Sequence, residues 1–340
     1  MTLQPTIDEK GILRSLEETV KIIDSAAKFG SNVASQIERI FLVGSGATYY
    51  AAACIQDWFD QFENEVDVRA FRSADFVTSK PKRCNERALV LLISAGGETP
   101  ETREAAELAQ NRACKTAIFT KFNTSSLAAY GDGKFFMGET SDTFIAYFML
   151  ALSVAGAVLK QEENQALFSK LVPSLKALPA AFVAAATKGD FRAKKAAEFL
   201  KNDNLVNFFG SGAGWANASV TAYCDWMEIF GDNTHVFHAS NFPHYTLEVT
   251  GINEIPAIII LGDDHDRPTV ERVKKFFEKY GGRTWIYDVR DFAMTGIDQE
   301  FRPLLGPFVI QGALRRIIAN LALEREKDLS SRKFMGKCEY

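Results

Sequence analysis

The stretch FLVGSGATYYAAA (41–53) returns as FFGSGAGWANAS (208–219), with the same Gly-Ser-Gly-Ala 166 residues further along a chain of 340. Each copy follows a short apolar run and leads into small residues of helical character, so each reads as strand, tight turn and helix. An offset close to half the chain length predicts one fold used twice. The repeat extends outward from these turns. LLISAGGETPETREAAELAQNRACKTAIFT (91–120) and IIILGDDHDRPTVERVKKFFEKYGGRTWIYD (258–288) each read as strand, polar loop, proline-opened helix and strand, with Pro100 and Pro268 in register.

The runs RIFLVG, VDVRAF, ALVLLIS, KTAIFT and KFFM of the first half are predicted strands, as are LVNFFG, HVFHAS, PAIIILG, RTWIYDV and PFVIQG of the second. They are short, bounded by Gly or polar residues, and the longest are apolar on both faces, as parallel strands buried under helices are. ILRSLEETVKIIDSAAKFGSNVASQ (12–36) has helical spacing. FIAYFMLALSVAGAVL (144–159) is uncharged for 16 residues, short of the roughly 20 a bilayer requires, and is predicted to be a buried central helix. A helical, charge-rich stretch at 161–203 opens with Gln-Glu-Glu-Asn, which sets the expected boundary between domains 1–160 and 161–340. The expected architecture is α/β, two tandem three-layer units with parallel sheets.

A net charge of −4 with both signs mixed leaves no footprint for nucleic acid and no polybasic segment for a membrane. Five scattered cysteines without a C-x-x-C spacing point to reduced thiols in a cytoplasmic protein. The acidic, amphipathic N-terminus does not read as a signal peptide. GSGATYY fails the dinucleotide fingerprint because Tyr49 stands at its third glycine position and no acidic residue closes VDVRAF. No nicotinamide or other cofactor is expected.

ISAGGETPET (93–102) gathers Ser94, Gly96, Gly97, Thr99 and Thr102 between a strand end and a helix start. Free N–H groups and the positive helix end favour an anion there, and small hydroxyl residues add donors. By the proline register the second copy replaces Ser94, Gly96 and Thr99 with Gly262, Asp264 and Arg267. Carboxylates from Asp263 and Asp264 would repel a phosphate, so one copy is expected to keep an anion site that the other has lost.

A tandem α/β chain with GSGAT after its first strand and SAGGETPET after a later one resembles the sugar isomerase (SIS) domain family over nearly its whole length. It is similar to the double-SIS isomerase half of glucosamine-6-phosphate synthase and to the fructosamine-6-phosphate deglycases. The resemblance implies a flavodoxin-like fold and phosphate binding at Gly46, Thr48, Ser94, Gly96 and Thr99, with Ala95 and Gly96 where the family has Gln and Ser. It also implies a catalytic pair, a Glu closing a helix and a His 16 residues later, met here by Glu228 and His244. The family's Gly-Glu-x-x-His-Gly-Pro reads here with Ser240, Asn241 and Tyr245 in place of Gly, Glu and Gly.

The resemblance implies a deglycase acting on a 6-phosphorylated sugar-amine, with an aldose–ketose isomerase, an amino-sugar phosphate deaminase and a non-catalytic phosphosugar sensor as alternatives. It further implies a homodimer whose His-bearing loop reaches the neighbouring subunit's phosphate site. The synthase's C-terminal lysine falls at Gly336, and the ending with Arg332, Glu339 and Tyr340 resembles that of the deglycases. His235, His238 and His244 lie near Asp232, but on a strand His235 and His238 point to opposite faces, so no metal is expected.

Overall fold

In the computed structural model, which describes residues 6–62, 66–159, 165–250, 254–335 and 337–338, the two Gly-Ser-Gly-Ala turns each follow an interior strand of a parallel sheet, next to its edge strand. The chain forms two compact units, one of Lys10–Pro179 with Gly296–Glu300, the other of Met1–Glu9, Ala180–Thr295 and Phe301–Tyr340.

The first unit opens with α1 (Glu9–Val33) and continues β1 (Arg39–Gly44), α2 (Ala47–Phe59), β2 (Asp67–Arg72), α3 (Ser73–Ser79), β3 (Ala88–Ile93), α4 (Pro100–Asn111), β4 (Lys115–Thr120), β5 (Gly133–Phe136) and α5 (Thr143–Val158). The strands lie in the order β2-β1-β3-β4-β5, all parallel. Phe41, Val43, Val90, Leu92 and Ile118 share a core with Phe76 of α3 and Ala105, Ala106 and Ala109 of α4. The alternate residues Ile40, Leu42, Leu89, Leu91 and Phe119 are buried as well. Both faces are thus covered, which is why these strands read as unbroken apolar runs. The uncharged stretch is α5, buried at every residue from Phe144 to Gly156. Among the described residues no helix is long and apolar enough to cross a membrane.

After α6 (Gln165–Ser169) comes α7 (Leu171–Leu200), and the compact units part inside it, at Pro179. The boundary signal at 161–164 lies outside the described residues. The second unit carries β6 (Leu205–Gly210), α8 (Gly212–Ser219), a π-helical segment (Val220–Met227), the single turn α9 (Glu228–Phe230), β7 (Asn233–His238), β8 (Ala257–Leu261), α10 (Arg267–Tyr280), β9 (Thr284–Asp288) and α11 (Arg302–Glu324). Its sheet is parallel with order β7-β6-β8-β9, the first sheet's order without a fifth strand.

The fifth strand expected at PFVIQG is instead part of α11. That helix is buried on all sides from Leu304 to Ala322, so it has no polar stripe to betray a 3.6-residue period. Pro307 and Gly312 add to the disguise, because both are poor helix formers.

Candidate active site

In the first sheet β2 lies on one side of β1 and β3 on the other, so the strand order reverses between β1 and β3. Open parallel sheets bind ligands outside the carboxyl ends of strands at such a switch point. Gly44 of β1 pairs in register with Ile93 of β3, which sets the two following loops side by side. Gly46 precedes α2 with φ 60, a left-handed value that favours glycine. The buried Thr48 donates its hydroxyl to Ser45 O at 2.9 Å and to Ile93 O at 3.4 Å, joining one loop to the other.

Across the junction, the buried Ser94 places its hydroxyl 3.0 Å from Thr99 Oγ1. Thr99 precedes α4 without capping it by its side chain, so its hydroxyl serves the loop rather than the helix. Gly97 has φ 71, and a Cβ there would lie 2.4 Å from Ser125 Oγ. At exposed Gly96 a Cβ would meet nothing within 4 Å, so the cradle opens outward. The Glu98 carboxylate accepts the Ser126 N–H at 2.7 Å and its hydroxyl at 2.6 Å, which ties the loop down. Those bonds hold Glu98 below the usual carboxylate range. Gly46, Thr48, Ser94, Gly96 and Thr99 therefore share one switch point. Its lining is neutral hydroxyl and backbone at two helix starts, a setting suited to an anion.

The second sheet has the same junction between β6 and β8, with Gly212 at φ 51. There the Arg267 guanidinium donates to Gly262 O at 2.8 Å and to both Asp288 oxygens at 2.9 and 2.6 Å, while Nε donates to Glu271 at 2.8 Å. Arg290 donates to Asp263 at 2.7 Å, and Asp264 accepts the Asp266 N–H at 3.0 Å. This junction is closed by the protein's own ions.

Glu228 lies where the π-helical segment gives way to α9, which Gly231 ends in the left-handed region. A π-helical stretch turns side chains out of α-helical register and recurs at functional sites. It is anchored by buried Trp226, whose Nε1 donates to Asp232 at 3.1 Å, and by buried Asp225, which lies 3.3 Å from Gln311 Nε2 and 3.6 Å from Arg315 Nε. The Glu228 side chain is 36% exposed, with Arg332 Nε 3.6 Å from its Oε2. It faces a cavity of about 400 Å³ walled also by Ile229, Phe230, Lys327, Arg332 and Phe334. Burial pushes the carboxyl above its ordinary value; Arg332 opposes this and Asp225 adds to it. A carboxyl moved toward neutrality suits proton transfer.

His244 is exposed on the loop after β7, its N–H donated to Asn241 O at 3.1 Å, beside exposed Tyr245 and Val249. Among the described residues no interaction joins it to Glu228. Two other histidines of this segment have separate partners: His235 Nδ1 is 3.2 Å from Asn207 Oδ1 and His238 Nδ1 is 2.7 Å from Ser240 Oγ. Among the described residues no group of three His, Cys, Asp or Glu could hold a metal ion. The Glu98 tie, Asp225 and the π-helical register carried no signal in the sequence. Arg332 stood there only as part of an ending, of which Gly336, Glu339 and Tyr340 lie outside the described residues.

The SIS domain family matches residues 35–184. An agropine synthesis conjugase of Rhizobium rhizogenes is 33% identical over 98% of this chain and 95% of its own length. The fructosamine deglycase FrlB of Bacillus subtilis is 28% identical over 89% of this chain and 93% of its own. A solved Bacillus subtilis structure whose proposed role is that of a phosphosugar isomerase superposes with a TM-score of 0.87 at 27% identity, covering 95% of this chain and 99% of that one.

Proposed function

We propose that this chain, which belongs to the SIS (sugar isomerase) domain family, is a deglycase that cleaves a 6-phosphorylated fructosamine into a hexose 6-phosphate and a free amine. It is built as tandem SIS modules, with the phosphate anchored in the first at Gly46, Thr48, Ser94, Gly96 and Thr99. That remote contact supplies binding energy which positions the reacting carbons. The Glu228 carboxylate takes a proton from C1 to form an enolamine and returns it at C2. Water then adds to the resulting C1 imine and expels the amine. His244 serves ring opening by moving a proton at the ring oxygen. The observation that carries this reading is the Glu228 carboxyl, raised by burial and facing a cavity, in a chain similar over most of its length to a fructosamine deglycase.

The enzyme works as a cytoplasmic homodimer, a hydrolase in which the partner subunit's His244 completes the phosphate cradle. Incubation with the 6-phosphofructosamine of an amino acid should release glucose 6-phosphate and amine in equal amounts, and the unphosphorylated compound should react far more slowly. Interconversion of glucose 6-phosphate and fructose 6-phosphate without amine release would make the chain an isomerase instead.

The relative named as a conjugase favours a second reading, the same chemistry run backward. Condensation of an amine with an aldose phosphate gives an imine, and the proton shift from C2 to C1 then gives the fructosamine. Glucose 6-phosphate with excess amine, followed to equilibrium from both sides, tells which direction the enzyme serves.

A further inference from the structure

Arg332 is shaped to act on Glu228. Its Nη1 donates to Leu329 O at 3.0 Å and to Ser331 O at 2.9 Å, so the tail's own backbone fixes the guanidinium. Its Nε is buried and has no hydrogen-bond partner among the described residues, and this edge lies 3.6 Å from Glu228 Oε2. The turn that presents it is held by Asp328, which accepts the Ser330 N–H and hydroxyl at 2.8 Å each. Four other charged groups bear on the carboxylate or its surroundings. Asp225, on the π-helical segment, is paired with Arg315 of α11, and Lys327 and Lys333 wall the cavity from the tail.

Resting on the proton-transfer role given above to Glu228, we propose that Arg332 is a positioning residue that keeps the Glu228 carboxylate ionised and aimed into the cavity. Turnover thereby depends on how the C-terminal segment is seated. Burial and Asp225 both favour the protonated form of Glu228, and Arg332 is the guanidinium that opposes them. A base must be ionised to accept the C1 proton, so loss of Arg332 acts on the acid side of the rate profile.

The test compares wild type, Arg332→Met, Arg332→Lys and Glu228→Gln with a 6-phosphofructosamine, following amine release from pH 5 to 9. In Arg332→Met the acid limb of kcat should move up by about one pH unit, the low end expected for losing a nearby opposite charge. KM should change less than about twofold, and Arg332→Lys should restore most of the profile. Infrared titration of the carboxyl band that Glu228→Gln lacks should show the same displacement without turnover. An acid limb and a carboxyl titration both unmoved in Arg332→Met, with kcat lowered equally at every pH, would overturn the positioning role alone. Full activity in Glu228→Gln would instead remove the role of Glu228 on which it rests.

Discussion

The two switch points share a backbone and differ in what their side chains are left to do. Gly46 and Gly212 take nearly the same φ, 60 and 51, and α4 and α10 both carry proline in their first turn. At the first junction Ser94 and Thr99 face each other at 3.0 Å and Gly96 faces open space. At the second, the residue in the place of Thr99 is Arg267, whose guanidinium ties Gly262 to Asp288. One junction keeps donors in reserve; the other spends them inside the chain. In a duplicated fold, what separates these two junctions is therefore the partnering of their polar groups, since the strand order is common to both.

The largest expected effect probes the division of labour between the halves. Glu228→Gln should lower kcat by on the order of 10²–10⁴, as removal of a general base does, with KM nearly unchanged. Wild-type turnover in that variant would take the carboxylate out of the reaction. Next in size, Ser94→Ala with Thr99→Val should raise KM for the phosphorylated substrate on the order of 10²-fold, since two hydrogen bonds to a charged group, at the low end of about 1.5 kcal/mol each, amount to about 3 kcal/mol. Inorganic phosphate should protect the wild type against thermal unfolding and the double variant much less. Equal protection would move the phosphate elsewhere and break the contrast between the junctions.

The repeat was legible because glycine and proline punctuate it. Gly44, Gly46 and Pro100 recur as Gly210, Gly212 and Pro268, and strands such as Lys115–Thr120 and Leu205–Gly210 fall where the apolar runs do. The hydroxyl cluster at 93–102 was visible for the same reason, as a run of small residues between strand and helix. The structure withheld its plan where burial erases pattern. Pro307–Gly312, inside the stretch Leu304–Ala322 that is buried all round, reads as a strand fragment rather than part of a helix. Long-range pairing left no local trace either: Arg332 meets Glu228 104 residues away in sequence, and no motif encodes that meeting. Nor does any motif announce the π-helical register of Val220–Met227, which follows from tertiary packing around Trp226 and Asp225.

The smallest effect on the reaction, and the sharpest contrast, should come from Arg267→Met. Arg267 and Asp288 are 12% and 20% exposed, and removing one partner of such a pair leaves the other charge stranded. The variant should lose about 3 kcal/mol of stability while KM for the phosphorylated substrate stays within about twofold. The loss should depend on pH with a definite sign. Burial works to raise the Asp288 carboxyl, but its bonds from Arg267 and from the Arg290 N–H outweigh burial and hold it below the ordinary range. A carboxyl depressed in the folded state stabilises above its unfolded value of about 3.9, and that contribution is lost as pH falls through the folded value. Without Arg267 the same buried carboxyl favours its protonated form, so the variant regains ground on acidification. Urea melts at pH 7, 5 and 3.5 should show the gap between wild type and Arg267→Met widest at pH 7 and closing below about pH 4. A gap constant across that range would mean that Arg267 acts by packing rather than by its charge. A KM raised as far as in the Ser94/Thr99 double variant would mean that the second junction also handles the substrate's phosphate.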